Sequence, residues 1–159
     1  QGVLITNHES FHHLSSYLSG YTKKKIAIVL GVYNLEDILD PNKYAKNQTG
    51  LLGALGSLMG QNTRLYVYPA SEEDQGKGEM ESLKTSSNIA IKESIKPIMQ
   101  FFKKNNLIKD IKDFKKGVTG IWSRTVLRKI QNGEEGWEKD VPEIVAKTVK
   151  EKSLFGIQS

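Results

Sequence analysis

The stretch Gly120–Ile130, GIWSRTVLRKI, carries the residue types best suited to holding a phosphate. Ser123 and Thr125 stand two apart, and Arg128 follows Arg124 by about one helical turn. Free amides at a helix start are partly positive, and a guanidinium adds charged, bidentate hydrogen bonds, so such a segment can hold an anion. The same letters also describe an ordinary helix start, with Ser123 or Thr125 as N-cap and the cations on a solvated face. The segment alone does not choose between the two.

Three histidines form the next candidate group. His8 and His12 are four apart, which on a helix would place them on one face, as in some zinc sites. No glutamate lies between them in the protease pattern and no third ligand is evident, so a polar helix face is the reading preferred and no metal site is expected. GALGSLMG (53–60) imitates a phosphate-binding loop, but such a loop should follow a strand and lead into a helix. This stretch precedes a strand instead. Asn47–Thr49 is a glycosylation sequon in form only.

The totals bound the remaining classes. The chain has 159 residues, no cysteine and a net charge of +5, the size of about one domain able to bury its own core. Without cysteine there is no disulfide scaffold, thiol nucleophile or thiolate metal site, which suits an intracellular compartment, cytoplasm or organelle interior. No run of about 18 apolar residues exists to span a membrane. The opening QGVLITN has no Met and no signal-peptide pattern, and it reads as the start of a processed or truncated piece. The basic surplus gathers in KKNNLIKDIKDFKK (103–116), where Asp110 and Asp113 interleave with lysines. That pattern favours a solvated face over a nucleic-acid partner, though it is compatible with a small phosphorylated ligand.

The elements that must position these residues alternate along the chain. GVLITN reads as a strand; Phe11, Leu14 and Leu18 mark a helix stopped at Gly20; KKIAIVLGVYN reads as a strand buried on both faces of a parallel sheet. A helical turn over LEDILD breaks at Pro41, TGLLGALGSLMG is a helix weakened by its glycines, and TRLYVYPA is a strand ended by Pro69. Residues 71–88 read as a polar loop. An apolar stripe from Ile91 to Phe102 is helical, with Pro97 either kinking it or opening its second part. LIKDIKDF follows as an edge strand, and two helices close the chain, the first stopped by Gly133 and the second opened by Pro142. The expectation is a single α/β domain over 1–159 with a mostly parallel sheet, in which the strands near 26–32 and 64–68 are central neighbours.

In this order, IAIVLGVYNLEDILDPNKY, then LYVYPA, then WSRTVLRKIQNGEEGWEKDVPEIVAKTVKEKSLFG resembles the later two thirds of a nicotinate mononucleotide adenylyltransferase. Members of that family carry a strand ending Gly-x-Asp-x-Leu and a strand ending Tyr-Pro-Arg. They close with Ile-Ser-Ser-Thr-x-Ile-Arg, a glycine, Val-Pro-x-x-Val and a final Leu-Tyr or Leu-Phe. The resemblance implies a three-layer Rossmann-like nucleotidyltransferase domain, incomplete at its N-terminus and completed by a missing segment or a partner protein. It implies nucleotide contacts at Gly31 and Asn34. Ser123 and Thr125 would meet the triphosphate of ATP, and Arg128 would stabilise charge on the phosphates, with Mg2+ accompanying ATP if the chain is catalytic.

The family's His-x-Gly-His, needed for adenylyl transfer, is not in this sequence. Tyr33 stands at the Gly-x-Asp aspartate, Pro41 about where an aromatic would stack on the nicotinate ring, and Ala70 after Tyr-Pro where the family has arginine. The implied function is therefore ATP-phosphate binding by the C-terminal part of an enzyme of NAD biosynthesis. The alternative is a non-catalytic nucleotide-binding or structural subunit on the same fold.

Overall fold

The computed structural model describes residues 4, 6–60, 62–71 and 83–156. They fall into two compact units that divide between Phe114 and Lys115, where no compositional break marks the sequence.

The first unit is α/β. Strands β1 (Ile26–Gly31), β2 (Thr63–Tyr68) and β5 (Ile108–Asp110) form a parallel sheet in the order β1-β2-β5. Ile26 pairs with Thr63 and Leu65 with Ile108. Helix α1 (Phe11–Ser19) precedes β1; α2 (Val32–Leu39) and α3 (Gly50–Met59) link β1 to β2; α4 (Lys96–Lys104) leads into β5. Two short strands, β3 (Ala70–Ser71) and β4 (Leu83–Lys84), pair antiparallel.

This strand order explains the layering. The strands advance across the sheet in chain order, so right-handed crossovers put their helices on a single face. Ile28, Leu30, Leu65, Val67 and Ile108 from that face pack with Leu35, Leu58, Met99 and Phe102 from the helices in one buried cluster. The opposite face carries Ala27, Val29, Arg64, Tyr66, Tyr68 and Lys109. Val29 is 65% exposed there. Among the described residues of this unit, the expected three layers are therefore two. The expected neighbours β1 and β2 do pair, and β2 is central, but among the described residues β1 is an edge of this sheet and is buried on one face only.

A polar pin joins helix and sheet inside the core. Ser15 and Thr63, both fully buried, share a hydrogen bond of 2.7 Å, and Ser15 Oγ also donates to the Leu58 carbonyl at 3.1 Å. The network satisfies groups that would otherwise be costly to bury, and it fixes α1 against both α3 and β2.

Other expectations meet mixed outcomes. Leu4, Thr6 and Asn7 are not in a strand, and Gly2, Val3 and Ile5 lie outside the described residues. The glycine-weakened segment is a full helix, because burial of Ala54, Leu55, Leu58 and Met59 outweighs propensity. Gly53 is needed there: a Cβ would sit 2.1 Å from the Thr49 side chain. Pro97 opens α4 rather than kinking it. The polar loop has strands at its described ends, Ser71 and Leu83–Lys84, and residues 72–82 lie outside the described residues.

The second unit is helical: α5 (Ser123–Gln131) and α6 (Glu143–Glu151), with short 3-10 turns at Lys116–Val118, Trp137–Asp140 and Leu154–Gly156. Trp137 is buried among Val126, Ile130, Ala146 and Val149. Gly133, at φ +67, ends α5 in a left-handed turn in which Glu134 N–H reaches the Lys129 carbonyl and Gly133 N–H the Ile130 carbonyl. Lys129 holds Asp140 at 2.8 Å, tying the helix to the turn beyond it.

Candidate functional site

The β1–α2 junction sets the first part of the site. β1 ends at Gly31, which caps α2 without a side chain, and Asn34 follows in the first turn of the helix. Open parallel sheets present ligand sites at these carboxyl ends. Asn34 lines an open cavity of about 630 Å³ bordered by α1, α2 and the 3-10 turn Pro41–Tyr44, a volume in the range of small-ligand sites.

Three separate segments furnish its walls. The first turn of α1 brings Ser10, His12 and His13; α2 brings Asn34 and Asp37; the turn after Pro41 brings Tyr44. The first helical bond of α1 runs from Leu14 N–H to the Ser10 carbonyl, so the amides of residues 11–13 have no intrahelical acceptor. Ser10 does not cap them, and its buried Oγ has no hydrogen-bond partner. Lys43 and Lys46 add positive charge, partly offset because Lys43 pairs with Asp37 at 2.6 Å. The imidazole of His12 lies 4.1 Å from that of His13 and 5.9 Å from the Tyr44 ring, centre to centre. Tyr44 donates its hydroxyl proton to the Ile38 carbonyl at 3.1 Å. Burial, then the charges of Asp37 and Asp40, raise its pKa. An aromatic-walled pocket with free amides at one end suits a ligand that joins a flat ring to an anionic group.

Burial, then the neighbouring His13, lowers the pKa of His12 below its ordinary 6.5. Above that pH the folded and unfolded chains both carry it neutral, and it contributes nothing to pH dependence. As the pH falls below 6.5 the unfolded chain takes up the proton first, so stability is lost through that window. The expected result is a denaturant midpoint that falls from pH 7 to pH 5 in the wild type. The fall should be smaller in His12→Gln, with both measured by circular dichroism across the same pH series.

The chain itself covers part of the sheet's carboxyl end. Lys84 pairs with Glu36 at 2.9 Å and stands 4.4 Å over the ring of Tyr33. Glu36 also accepts from Ala90 N–H, and the Asp110 carboxylate accepts from both the amide and the hydroxyl of Ser86 at 2.9 and 2.8 Å. Tyr33, which the resemblance would set at the Gly-x-Asp aspartate, is thus engaged with Lys84.

The expected phosphate segment lies in the second unit. Trp122, not Ser123 or Thr125, is the N-cap of α5, and no side chain caps the helix. Its first bond is from Val126 N–H to the Trp122 carbonyl, leaving the amides of Ser123, Arg124 and Thr125 without intrahelical acceptors. Ser123, Arg124 and Arg128 are exposed and Thr125 half-buried. Gly31 and Asn34 adjoin one another in the first unit, while Ser123, Thr125 and Arg128 belong to the second.

The histidines are rearranged from their expected pairing. His8 precedes α1 and packs on Tyr17, with ring centres 4.8 Å apart, so it shares no helical face with His12. Among the described residues no group of three or more His, Asp or Glu is placed to hold a metal ion. Sequence reading passed over Tyr44 and Ser10. Tyr44, three residues after Pro41, was the available signal, since a proline-opened turn brings that position back over the preceding helix. No helix among the described residues is long and apolar enough to cross a membrane. Comparison with protein families, with curated proteins and with solved structures gives no match.

Proposed function

We propose that this chain is the nucleotide-binding, C-terminal part of an adenylyltransferase-like protein that joins ATP to nicotinate or nicotinamide mononucleotide in NAD biosynthesis. The observation that carries the reading is Asn34 on the first turn after a parallel strand, lining a cavity that also receives the uncapped start of α1. The mononucleotide's ring would lie against His12 and Tyr44, with its anionic group toward the free amides. Ser123, Thr125 and Arg128 would hold the phosphates of ATP, using amides and a guanidinium that are available for the purpose. Mg2+ would arrive on those phosphates, as its preference for substrate oxygens and water allows, rather than in a protein cage. The resemblance places the histidines of adenylyl transfer outside these residues, so binding rather than turnover is the activity assigned to them.

The test is calorimetric titration with ATP and, separately, with nicotinate mononucleotide in moderate salt. Arg128→Ala should weaken ATP binding by about 1.5–3 kcal/mol, as for a lost hydrogen bond to a charged group, and Arg124→Ala by less. Equal losses would point to a diffuse basic surface. A second reading, a structural subunit on the same fold, draws on the exposed sheet face around Val29 and the edge position of β1, which a preceding segment or a partner would cover. Absence of any binding by the wild type would favour it.

A further inference from the structure

The outer face of α1 carries a different arrangement. Tyr17 and Tyr21 are four apart and their ring centres lie 5.0 Å from one another; His8 folds back so that its ring lies 4.8 Å from Tyr17 on the other side. The result is a row of three rings in contact. Tyr17 is 40% exposed and Tyr21 77% exposed, although such rings usually find apolar cover. Ser15, on the other side of the helix, faces the core, and neither Tyr17 nor Tyr21 lines the cavity described above.

Charge sets the character of the surface. Lys23, Lys24 and Lys25 follow Tyr21 with only Thr22 between, and all three are exposed. At about 3.3–3.6 Å per residue of extended chain, Lys23 is anchored within roughly 7 Å of Tyr21. No Asp or Glu occurs from Ser10 through Leu35, so nothing in this stretch neutralises the lysines. Adjoining, accessible rings beside cations that make no ion pair among the described residues are what a flexible polyanion with flat bases requires, whereas a duplex hides those faces within its own stack.

We propose that His8, Tyr17 and Tyr21 with Lys23–Lys25 form a binding surface for single-stranded nucleic acid, the bases stacking on the rings and the lysines following the phosphates. Tyr21, the most exposed ring, offers the first platform; Tyr17 continues it.

Fluorescence anisotropy with a labelled fifteen-nucleotide oligouridylate at low salt tests this. Tyr17→Ala and Tyr21→Ala should each weaken binding by roughly 5- to 150-fold, the range for loss of one stacked base, and Tyr17→Phe should retain it because the ring remains. Replacing Lys23, Lys24 and Lys25 together by Gln should lower the slope of log affinity against log salt by about 2, at about 0.7 for each phosphate contact on a single strand. Asn34→Ala and the pair Lys112→Gln and Lys115→Gln should leave oligonucleotide affinity unchanged, which separates this surface from the cavity and from general basic charge. Circular dichroism confirms folding of each variant. Wild-type affinity in both tyrosine variants, equal binding of a duplex of the same length, or no binding by the wild type would overturn the proposal.

Discussion

Leu65→Ala is expected to destabilise the first unit by about 3–5 kcal/mol, the upper range for a leucine removed from a tightly packed core. Leu65 is completely buried on the central strand β2, between β1 and β5 and beneath the helices. No neighbour on a hydrogen-bonded strand can move in to fill the space, so most of the cavity should persist. Urea denaturation followed by far-ultraviolet circular dichroism measures the loss. Both tryptophans, Trp122 and Trp137, belong to the second unit, so their emission in the same titration reports on that unit separately. A loss below about 1 kcal/mol would mean that β2 is not the centre of the core.

The second large effect is expected at Trp137. Trp137→Ala should remove about 3–5 kcal/mol from the second unit, and a core of so few residues rarely supplies more than that in total. Trp137 is 5% exposed, and the buried contacts of Val126 and Ile130 on α5 and of Ala146 and Val149 on α6 converge on it. Lys150 reinforces the arrangement from outside, 5.8 Å from the ring centre and paired with Glu138 at 2.6 Å. The variant should lose the helical signal of α5 and α6, and the remaining Trp122 emission should take on the unfolded-state maximum at every urea concentration. If the proposed function holds, ATP binding should vanish with it. Persistence of a cooperative Trp122 transition would show that another contact carries this small core.

What the sequence disclosed depends on the range of the interaction. Helix α1 with its stop at Gly20, the chain break at Pro41, the strand Thr63–Tyr68 and the Gly133 terminus all rest on local chemistry, and all stand in the structure. β1 was located well and its environment misjudged. Ala27 and Val29 are apolar like Ile26 and Ile28, so composition alone does not say which face receives a layer; the order of the strands decides that. Helix α3 was underrated because propensity counts Gly53 and Gly56 against it, while the gain from Leu55 and Leu58 comes from tertiary burial.

The candidate site was less legible. Gly31 and Asn34 were found through a local junction, but the cavity beside them needs Ser10, Asn34 and Tyr44 from three elements. Lys84 and Ser86, hidden in what reads as a polar loop, act on Glu36 and Asp110, partners far away along the chain. Such pairings leave no periodic trace. At α5 the helix was legible and its cap was not, since Trp122 occupies the position without the side-chain oxygen that marks a usual N-cap.

The unreversed order β1-β2-β5 also bears on how the molecule is made. Each new strand adds to the one synthesised before it, and none must be threaded between two that have already joined. A nascent chain leaving the ribosome can therefore extend this sheet by accretion, with β1 and its helices awaiting β2, and that pair awaiting β5. The residues of the first unit all precede Lys115, so their folding need not await synthesis of the helical unit, in keeping with the domain-wise, amino-end-first folding of longer chains.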